Sequence, residues 1–343
     1  MMNNPYSLVF GKEPSEYISR ISQKEKIVSD IENENQKLYM ITGVRGSGKT
    51  VFMSEIKNTF LNKSGWEVVE LSTERNMLDS LVMKLSAKDK ISDMFKKAKI
   101  NLSFLGVGIE IGEQPSKVDS EIMLNKMLTV LKKNKRKLLV CVDEAVDNSY
   151  VREFASIFQI LIRDDLPISL VMTGLFENID DLQNEKNLTF LHRAPKLHLG
   201  PLSIGTMAAN YRNNLKVDKE LSLQMAQLTR GYSYAFQVLG YAMWENKGDY
   251  DKSIIMLKQY LEEYVYDKIW SELSEKDKKI LFGISKTASK KISDIRKKIG
   301  LESNEFAPYK KRLIRKGVVT DEEGFAKLSL PLFDDYIIEN YYE

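Results

Sequence analysis

Hydrophobic and polar positions form two different patterns along the chain. Short, uninterrupted apolar runs recur up to about residue 200, and such runs are typical of strands buried on both faces of a parallel sheet. Between the runs, apolar residues recur at helical spacing. The pattern predicts strands at 38–41, 66–71, 137–142 and 167–173 and within 188–202, and helices at about 17–33, 51–60, 74–98, 119–134 and 150–163.

Residues 100–111 depart from this pattern. Apolar residues there alternate by two around Gly106 and Gly108, which predicts a β-hairpin inserted into the α/β order. A plain surface hairpin fits this pattern, and so does a hairpin that contacts DNA or another subunit. The stretch therefore leaves both interpretations open.

Beyond residue 203 the apolar spacing is helical as far as about residue 268. Ser274, with Asp277 after it, then predicts a capped helix start, and short helices at 292–300 and 303–316 precede a hairpin that turns at Gly324. Helices followed by a two-stranded hairpin are the order of a winged helix-turn-helix. The predicted domains are 1–200, which contains the inserted hairpin, 201–270, which is all-helical, and 271–343.

The first apolar run leads into a sequence that fits the phosphate-loop pattern G-x-x-x-x-G-K-[ST]. Its residues are Gly43, Val44, Arg45, Gly46, Ser47, Gly48, Lys49 and Thr50, and Val51 opens the predicted helix. Glycines let the backbone turn its N–H groups toward phosphate oxygens, and a helix N-terminus adds partial positive charge. Lys49 would contact the β- and γ-phosphates of ATP, and the Thr50 hydroxyl would hold Mg²⁺. A chance match in a glycine-rich turn is the alternative.

Polar residues follow two of the later apolar runs. Asp143 and Glu144 end the third predicted strand, and Thr173 ends the fourth. Because ligands bind outside the carboxyl ends of strands in open α/β sheets, Asp143 would support Mg²⁺ and Glu144 would polarise the attacking water. Thr173 fits a contact with the γ-phosphate or that water, and it also fits a cap on the following helix.

Composition limits the charge, the metal sites and the cellular compartment that we expect for this chain. The chain has 343 residues, 43% of them hydrophobic, and a net charge of only +3, so any basic surface must be local. A single cysteine excludes a disulfide framework and fits a reducing cytosol. This residue, Cys141, lies in an apolar run and is therefore expected to be buried. His192 and His198 lack partners at metal-ligand spacing. With no signal-like start and no membrane-length apolar stretch, we expect a cytoplasmic protein without a membrane partner.

Residues 286–317 carry a local positive charge. They hold eleven Lys and Arg against three acids, a net of +8, which is the charge pattern that a DNA backbone favours. A basic face used for protein contact is the alternative. Residues 321–343 carry seven acids and one Lys and would repel DNA if they lay beside the recognition helix.

The order of these motifs resembles the AAA+ ATPases of the origin-recognition and initiator type. More closely, it resembles a group of bacterial AAA-family ATPases with an attached winged helix. The matching phrases are GVRGSGKT, LLVCVDE, LVMTG, LHLGPLS at the entry to a helical lid, NPYSLVFGKEPSEYISR, GYSYAFQVLGYAMWE and KKRLIRKGVVTDEEGFAKLSLPLFDDYI. The resemblance implies that Asp143 and Glu144 form the second ATPase motif and that Thr173 is the first γ-phosphate sensor. It also implies that Arg193 acts as an arginine finger on a neighbour's ATP and that residues 17–20 border the adenine.

Two positions depart from the family pattern. Ser19 precedes Arg20 where a Gly-Arg pair is usual, and the lid reads Gly231-Tyr-Ser-Tyr234 with no arginine at the second-sensor position. We expect an α/β P-loop sheet with a helical lid and a winged helix, which binds and hydrolyses ATP with Mg²⁺ and acts as an ATP-controlled DNA-binding or regulatory factor. The alternative is a slow nucleotide-gated switch that self-associates through Arg193 or recruits a protein. A loader that places another enzyme on DNA is a third interpretation.

Overall fold

The computed structural model describes residues 3–9, 14–98, 100 and 120–341. The predicted hairpin at 100–111 lies outside the described residues except for Ile100. The chain divides into two compact units, and each is described by itself. The sheet unit consists of the described residues within 20–42 and 49–198, and the helical unit consists of the described residues within 1–19, 43–48 and 199–343.

A five-stranded parallel sheet forms the centre of the sheet unit. Its order is β2-β3-β4-β1-β5, so that β1, β3 and β4 are the inner strands. Their uninterrupted apolar sequences suit this place, because both faces of an inner parallel strand are covered. The strands are β1 (Leu38–Thr42), β2 (Trp66–Leu71), β3 (Lys137–Val142), β4 (Ile168–Gly174) and β5 (Lys196–His198).

Seven helices of the sheet unit are described. They are α1 (Ile21–Glu32), α2 (Lys49–Leu61), α3 (Met77–Ser86), α4 (Asp89–Lys97), α5 (Ser120–Lys133), α6 (Ser149–Arg163) and α7 (Phe176–Asn184). The prediction of a single helix at 74–98 is wrong, because the helix is interrupted between α3 and α4. Buried Leu85 is followed by buried Ile91, a step that one continuous helix would place on different faces. The break lets both side chains enter the same core.

The fifth strand is shorter than the apolar stretch at 188–202 suggested. Only Lys196–His198 pair with β1, and Lys186–Arg193 form a 3-10 helix. Leu188 and Leu191 are buried outside the strand, and the helix is kinked at Leu188, whose φ of −118° and ψ of 30° are not helical.

The helical unit continues with helices and one hairpin. Its elements are α8 (Ile204–Leu215), α9 (Lys219–Leu228), α10 (Ser233–Glu245), α11 (Tyr250–Leu261), a π-helical turn (Glu262–Tyr266), α12 (Asp267–Ser271), α13 (Glu275–Lys286), α14 (Ile292–Ile299), α15 (Ser303–Arg315), β6 (Val319–Glu322), β7 (Phe325–Leu328) and α16 (Phe333–Asn340). The capping box at the start of α13 is confirmed, since Ser274 and Asp277 exchange hydrogen bonds. Among the described residues, no helix combines the length and apolarity needed to cross a bilayer.

One apolar core runs through this unit. The Tyr266 ring lies 4.7 Å from the Phe333 ring and 5.5 Å from the Tyr336 ring, which joins the π-helical turn to α16. Helix α16 was not predicted, although Phe333, Tyr336 and Ile337 have the helical spacing that would have indicated it. The boundary drawn at residue 270 stays a prediction, because side chains on both of its sides belong to this core.

The N-terminal arm packs against α10 through Tyr6. The Tyr6 side chain is buried, and its hydroxyl donates to Oδ1 of Asn210 over 2.7 Å. A Cβ added to Gly240 would lie 2.6 Å from the Tyr6 ring. Gly240 therefore provides the space that the arm needs on the helix.

Replacing Gly240 by alanine is expected to destabilise the protein although alanine is the better helix former. Overpacking costs about 1–3 kcal/mol, against a gain of about 1 kcal/mol in helix propensity. The matched control is Gly205→Ala in α8, where an added Cβ meets only the Ser203 hydroxyl, at 3.9 Å. Urea denaturation should show a lower free energy of unfolding for Gly240→Ala only. Equal effects of both changes would contradict this packing.

Candidate functional site

Three of the predicted residues meet in the sheet unit around one carboxylate. Asp143 follows β3, and its Oδ2 accepts a hydrogen bond of 2.7 Å from the Thr50 hydroxyl in the first turn of α2. Its Oδ1 accepts a hydrogen bond from the Thr173 hydroxyl on β4. Thr173 is completely buried, and the N-cap position of α7 belongs to Leu175. The Thr173 side chain therefore serves the acid and does not cap the helix.

The next residue, Glu144, has a backbone held in an unusual conformation. Its φ is +51°, which costs a residue with a Cβ on the order of 1 kcal/mol. Its N–H donates to Asp143 Oδ1 over 3.1 Å and lies 3.4 Å from the Thr173 hydroxyl oxygen. The N–H of Ala145 donates to the carbonyl of Thr173 over 2.7 Å. These bonds fix the turn, and the Glu144 side chain is left exposed to solvent.

The segment after Glu144 is fixed by polar contacts that sequence reasoning missed. The Asn148 side chain caps α6 and also donates to the Thr73 carbonyl over 3.0 Å. Arg152 forms two hydrogen bonds of 2.6 Å with Asp147 and lies 3.3 Å from Glu185. The Arg152 guanidinium holds the pKa of Asp147 below its usual value. Asn148 before an apolar-periodic helix was a readable N-cap signal, whereas its long-range contact with Thr73 left none.

A cationic neighbourhood surrounds the end of β5. The Nδ1 of His198 lies 3.3 Å from the Thr42 hydroxyl at the end of β1. Burial, followed by the positive charges of Arg20 and Lys49, lowers the pKa of His198. The neutral imidazole is therefore favoured here, and Arg20 and Lys49 carry the positive charge. Sequence reasoning had assigned His198 no role beyond excluding a metal site.

The glycine-rich part of the phosphate loop, residues 43–48, belongs to the helical unit. Gly46 and Gly48 have φ of +74° and +88°, which glycine adopts without strain. The N–H of Ser47 donates to the Val44 carbonyl over 3.1 Å. A Cβ on Gly43 would overlap the Ser47 hydroxyl. Within the part of the chain that the structure describes, this buried hydroxyl has no hydrogen-bond partner.

Residues Tyr232–Tyr234, called the lid segment here after the lid that the sequence predicts, donate hydrogen bonds to the carbonyl side of the loop. The Tyr232 hydroxyl donates to the carbonyl of Arg45 over 2.6 Å. The backbone N–H of Tyr234 donates to the carbonyl of Gly46 over 3.1 Å. The Ser233 hydroxyl donates to the carbonyl of Ser47 over 3.0 Å. Three successive loop carbonyls therefore accept hydrogen bonds from three successive residues.

The second loop position also touches the C-terminal helices. Gly317, just beyond α15, has a φ of +71°, and a Cβ added to it would overlap the Val44 side chain. The turn after α15 therefore lies directly against the phosphate loop within the helical unit.

Arg193 is the last residue of the 3-10 helix before β5, and its side chain is exposed. This is the position along the chain that the sequence indicated. Its action on a neighbour's nucleotide stays a prediction.

Part of the basic stretch at 286–317 is bound inside the helical unit. The Arg312 guanidinium donates two hydrogen bonds to the buried carboxylate of Asp277, and the Nε–Oδ1 distance is 3.1 Å. Lys310 pairs with Asp321 at 2.5 Å. The sequence count of +8 therefore overstates the charge that this surface offers to a partner.

The acidic tail contributes to that pairing. Asp334 lies 3.2 Å from Arg230 and 3.8 Å from Lys290. Arg230 also donates to the carbonyls of Leu328 and Leu330 over 2.9 and 3.0 Å. Acids of the tail therefore pair with Lys290 and Lys310 of the basic stretch, and the repulsion of DNA by the tail stays a prediction. The exposed basic residues of the stretch include Lys291, Lys297 and Lys311.

The strand order and the loop between β1 and α2 define an α/β P-loop core, followed by a helical C-terminal region. The Walker-type ATPase PABY2304 of Pyrococcus abyssi is similar, with a TM-score of 0.71 and 18% identity over 94% of this chain and 96% of that one. ORC2 of Aeropyrum pernix, solved as ADPNP–ADP complexes, matches with a TM-score of 0.61 and 14% identity over 96% and 95% of the two chains. Cdc6p from Pyrobaculum aerophilum matches with a TM-score of 0.50 and 13% identity over 96% of both.

At these identities the likeness shows the fold alone. A family model described as a domain of unknown function (DUF8462) matches residues 263–337, which is less than half of the chain. Comparison with curated protein sequences gives no match. These three solved structures are archaeal, whereas the sequence resemblance pointed to a bacterial group.

Proposed function

We propose that the chain binds ATP with Mg²⁺, hydrolyses it, and uses the nucleotide to control binding of double-stranded DNA. The observation that carries the first part is the shared carboxylate of Asp143, which gathers the hydroxyls of Thr50 and Thr173 at the carboxyl ends of neighbouring strands. Open α/β sheets bind their ligands at that edge. The AAA+ fold supports the same assignment.

The residues present fit the proposed ligands. Hydroxyl and carboxylate oxygens, as supplied by Thr50 and Asp143, are the ligand type that Mg²⁺ prefers. The unpartnered Ser47 hydroxyl and the two positive-φ glycines of the loop suit a phosphate-binding backbone. When bound, the cation would neutralise charge on the phosphate oxygens.

Each residue of the site has a chemical role in this proposal. Lys49 supplies positive charge to the β- and γ-phosphates, and residues 43–51 contribute the binding loop. Glu144, whose carboxylate is exposed, orients and deprotonates the attacking water. Thr173 positions Asp143 through its buried hydroxyl. Arg193 acts on the nucleotide of a neighbouring subunit.

The Glu144→Gln protein is expected to bind ATP as wild type does but to release phosphate at least about 100-fold more slowly, because the amide cannot accept the proton. Phosphate release and equilibrium binding of a fluorescent ATP analogue measure the two properties separately. The Lys49→Ala protein is the control that should lose binding. Equal phosphate release by Glu144→Gln and wild type would reject hydrolysis by this residue.

DNA binding is assigned to residues 271–343, which we propose form a winged helix. Helices α13, α14 and α15 followed by the β6–β7 hairpin have the order of that motif. Basic residues on α14 and α15 or beside them, including Lys297 and Lys311, are exposed. They carry positive charge on the elements that a winged helix presents to a duplex.

Changing Lys291, Lys297 and Lys311 together to glutamine should weaken duplex binding and lower the salt slope by about 1 for each phosphate that is no longer neutralised. Lys310 and Arg312 are left unchanged because they pair with Asp321 and Asp277. The matched control changes Lys133, Lys186 and Lys219, which are exposed lysines of the same total charge. Fluorescence anisotropy over a salt series measures both proteins. Absence of wild-type binding at low salt, or equal losses of affinity in both variants, would reject this surface.

The second candidate function is a nucleotide-gated switch that self-assembles. Two observations favour it: a tyrosine, Tyr234, stands at the expected second-sensor position, and intramolecular pairing reduces the basic field. Slow hydrolysis would then prolong one state.

Under the switch hypothesis, light scattering should show a larger particle with a non-hydrolysable ATP analogue than with ADP. The Arg193→Ala protein should remain small with both, because the proposed finger completes the neighbour's site. A particle size that is independent of nucleotide would exclude the switch and leave the DNA-binding proposal in place.

A further inference from the structure

We propose that Tyr232 is a positioning residue for the phosphate loop, and that the lid segment sets nucleotide affinity by holding the loop's carbonyl side. This inference rests on the proposed ATP site and assigns a means of regulating it. The lid segment acts through the loop and needs no contact of its own with the nucleotide.

The geometry of the peptide group couples the two sides of the loop. A planar trans peptide places its N–H and its C=O on opposite sides. Fixing the carbonyls of Arg45, Gly46 and Ser47 therefore also fixes the orientation of the N–H groups that follow them. The N–H of Ser47 is bonded to the Val44 carbonyl, whereas the N–H groups of Gly46 and Gly48 are of the kind that binds phosphate in such a loop.

The conformational entropy of the loop is reduced by the same contacts. Gly46 and Gly48 give the backbone the conformations it needs, but glycine loses more conformational freedom than any other residue when it is ordered. Hydrogen bonds at 2.6, 3.1 and 3.0 Å order the loop before a ligand arrives. Each bond of this kind shifts an equilibrium about 2- to 12-fold.

The lid segment is itself rigid. Tyr232 is only 5% exposed, and burial raises the pKa of its hydroxyl far above the ordinary value, so the hydroxyl remains a donor. Gly231 precedes it with a φ of +77°, and an added Cβ would lie 2.6 Å from Pro201 and 2.7 Å from the Leu202 carbonyl oxygen. The N–H of Leu202 donates to the Gly231 carbonyl over 2.8 Å. The tyrosine is therefore presented from a turn that the preceding segment supports.

The lid and the loop approach each other closely at Gly46. A Cβ at this position would overlap the Tyr232 hydroxyl and would lie 3.0 Å from Cβ of Tyr234. The phosphate-loop pattern allows any residue at position 46, but the close approach of the lid segment requires a glycine there. This requirement links the sequence of the loop to the sequence of the lid.

The test removes one hydroxyl. The Tyr232→Phe protein should bind a fluorescent ADP about 2- to 12-fold more weakly, which is the loss of one hydrogen bond, through faster dissociation. KM for ATP should rise while kcat stays unchanged, because binding of substrate and transition state is weakened equally. Ser233→Ala removes the neighbouring donor and should act in the same direction.

The matched control is Tyr211→Phe. The Tyr211 hydroxyl is also buried in the helical unit and donates to the Phe236 carbonyl over 2.8 Å, with no bond to the loop among the described residues. Amide hydrogen exchange of residues 43–48 without nucleotide should accelerate in Tyr232→Phe and in Ser233→Ala but not in Tyr211→Phe. A purely structural effect would appear in Tyr211→Phe as well.

The outcomes separate this inference from the proposed function. Equal ADP dissociation and equal loop exchange in Tyr232→Phe and Tyr211→Phe would overturn the positioning role, even if wild type binds ADP. A wild type that binds no ADP would overturn the proposed ATP site. The exchange measurement would then still decide whether Tyr232 holds the loop, since it needs no ligand. If Tyr232→Phe fails to fold, Ser233→Ala carries both measurements.

Discussion

The carboxylate of Asp143 is the interaction on which the sheet unit's site depends. It accepts hydrogen bonds from Thr50 and Thr173, and so it joins the start of α2, the end of β3 and the end of β4. Hydrogen bonds to an ionised acceptor are stronger than those between neutral groups. The positive φ of Glu144 is maintained by the same network, because its N–H and that of Ala145 are bound to Asp143 and Thr173. The hydrogen bonds to Asp143 and Thr173 therefore fix the backbone turn that leaves the Glu144 side chain exposed to solvent.

The elements that could be predicted from the sequence are those encoded over a few residues. The apolar runs of the inner strands, the phosphate loop and the Ser274–Asp277 capping box each carry their own local signal, and the strands and the capping box appear in the fold. Contacts between distant segments left no such signal. The Tyr232–Arg45 bond joins residues 187 positions apart, and nothing near either residue indicates the other. The α3–α4 break was missed because helical spacing was read as one continuous stripe.

The basic stretch illustrates a different limit of sequence reasoning. Counting Lys and Arg gives formal charge, but the effective field depends on which cations are already paired. Arg312 is committed to Asp277, whose carboxylate is 1% exposed and would be strongly destabilising if left without a partner. Arg312 therefore joins α15 to α13 and is not available to a partner. The lysines on the outer surface are the ones whose charge is available, so the local count of +8 and the available charge differ for a physical reason.

The two sides of the phosphate loop are satisfied unequally, and this asymmetry supports the proposed site. On one side, carbonyls of residues 45–47 are bound by the lid segment. The buried Ser47 hydroxyl, which lies against Gly43, has no partner among the described residues, although the carbonyl of the same residue does. An unpaired buried polar group costs about 1–3 kcal/mol. Under the proposed function, a loop that is ordered from its carbonyl side would present its remaining N–H groups to a ligand with acceptor oxygens. The lid segment and the ligand would then act on opposite faces of the same peptides, so that loosening one weakens the other.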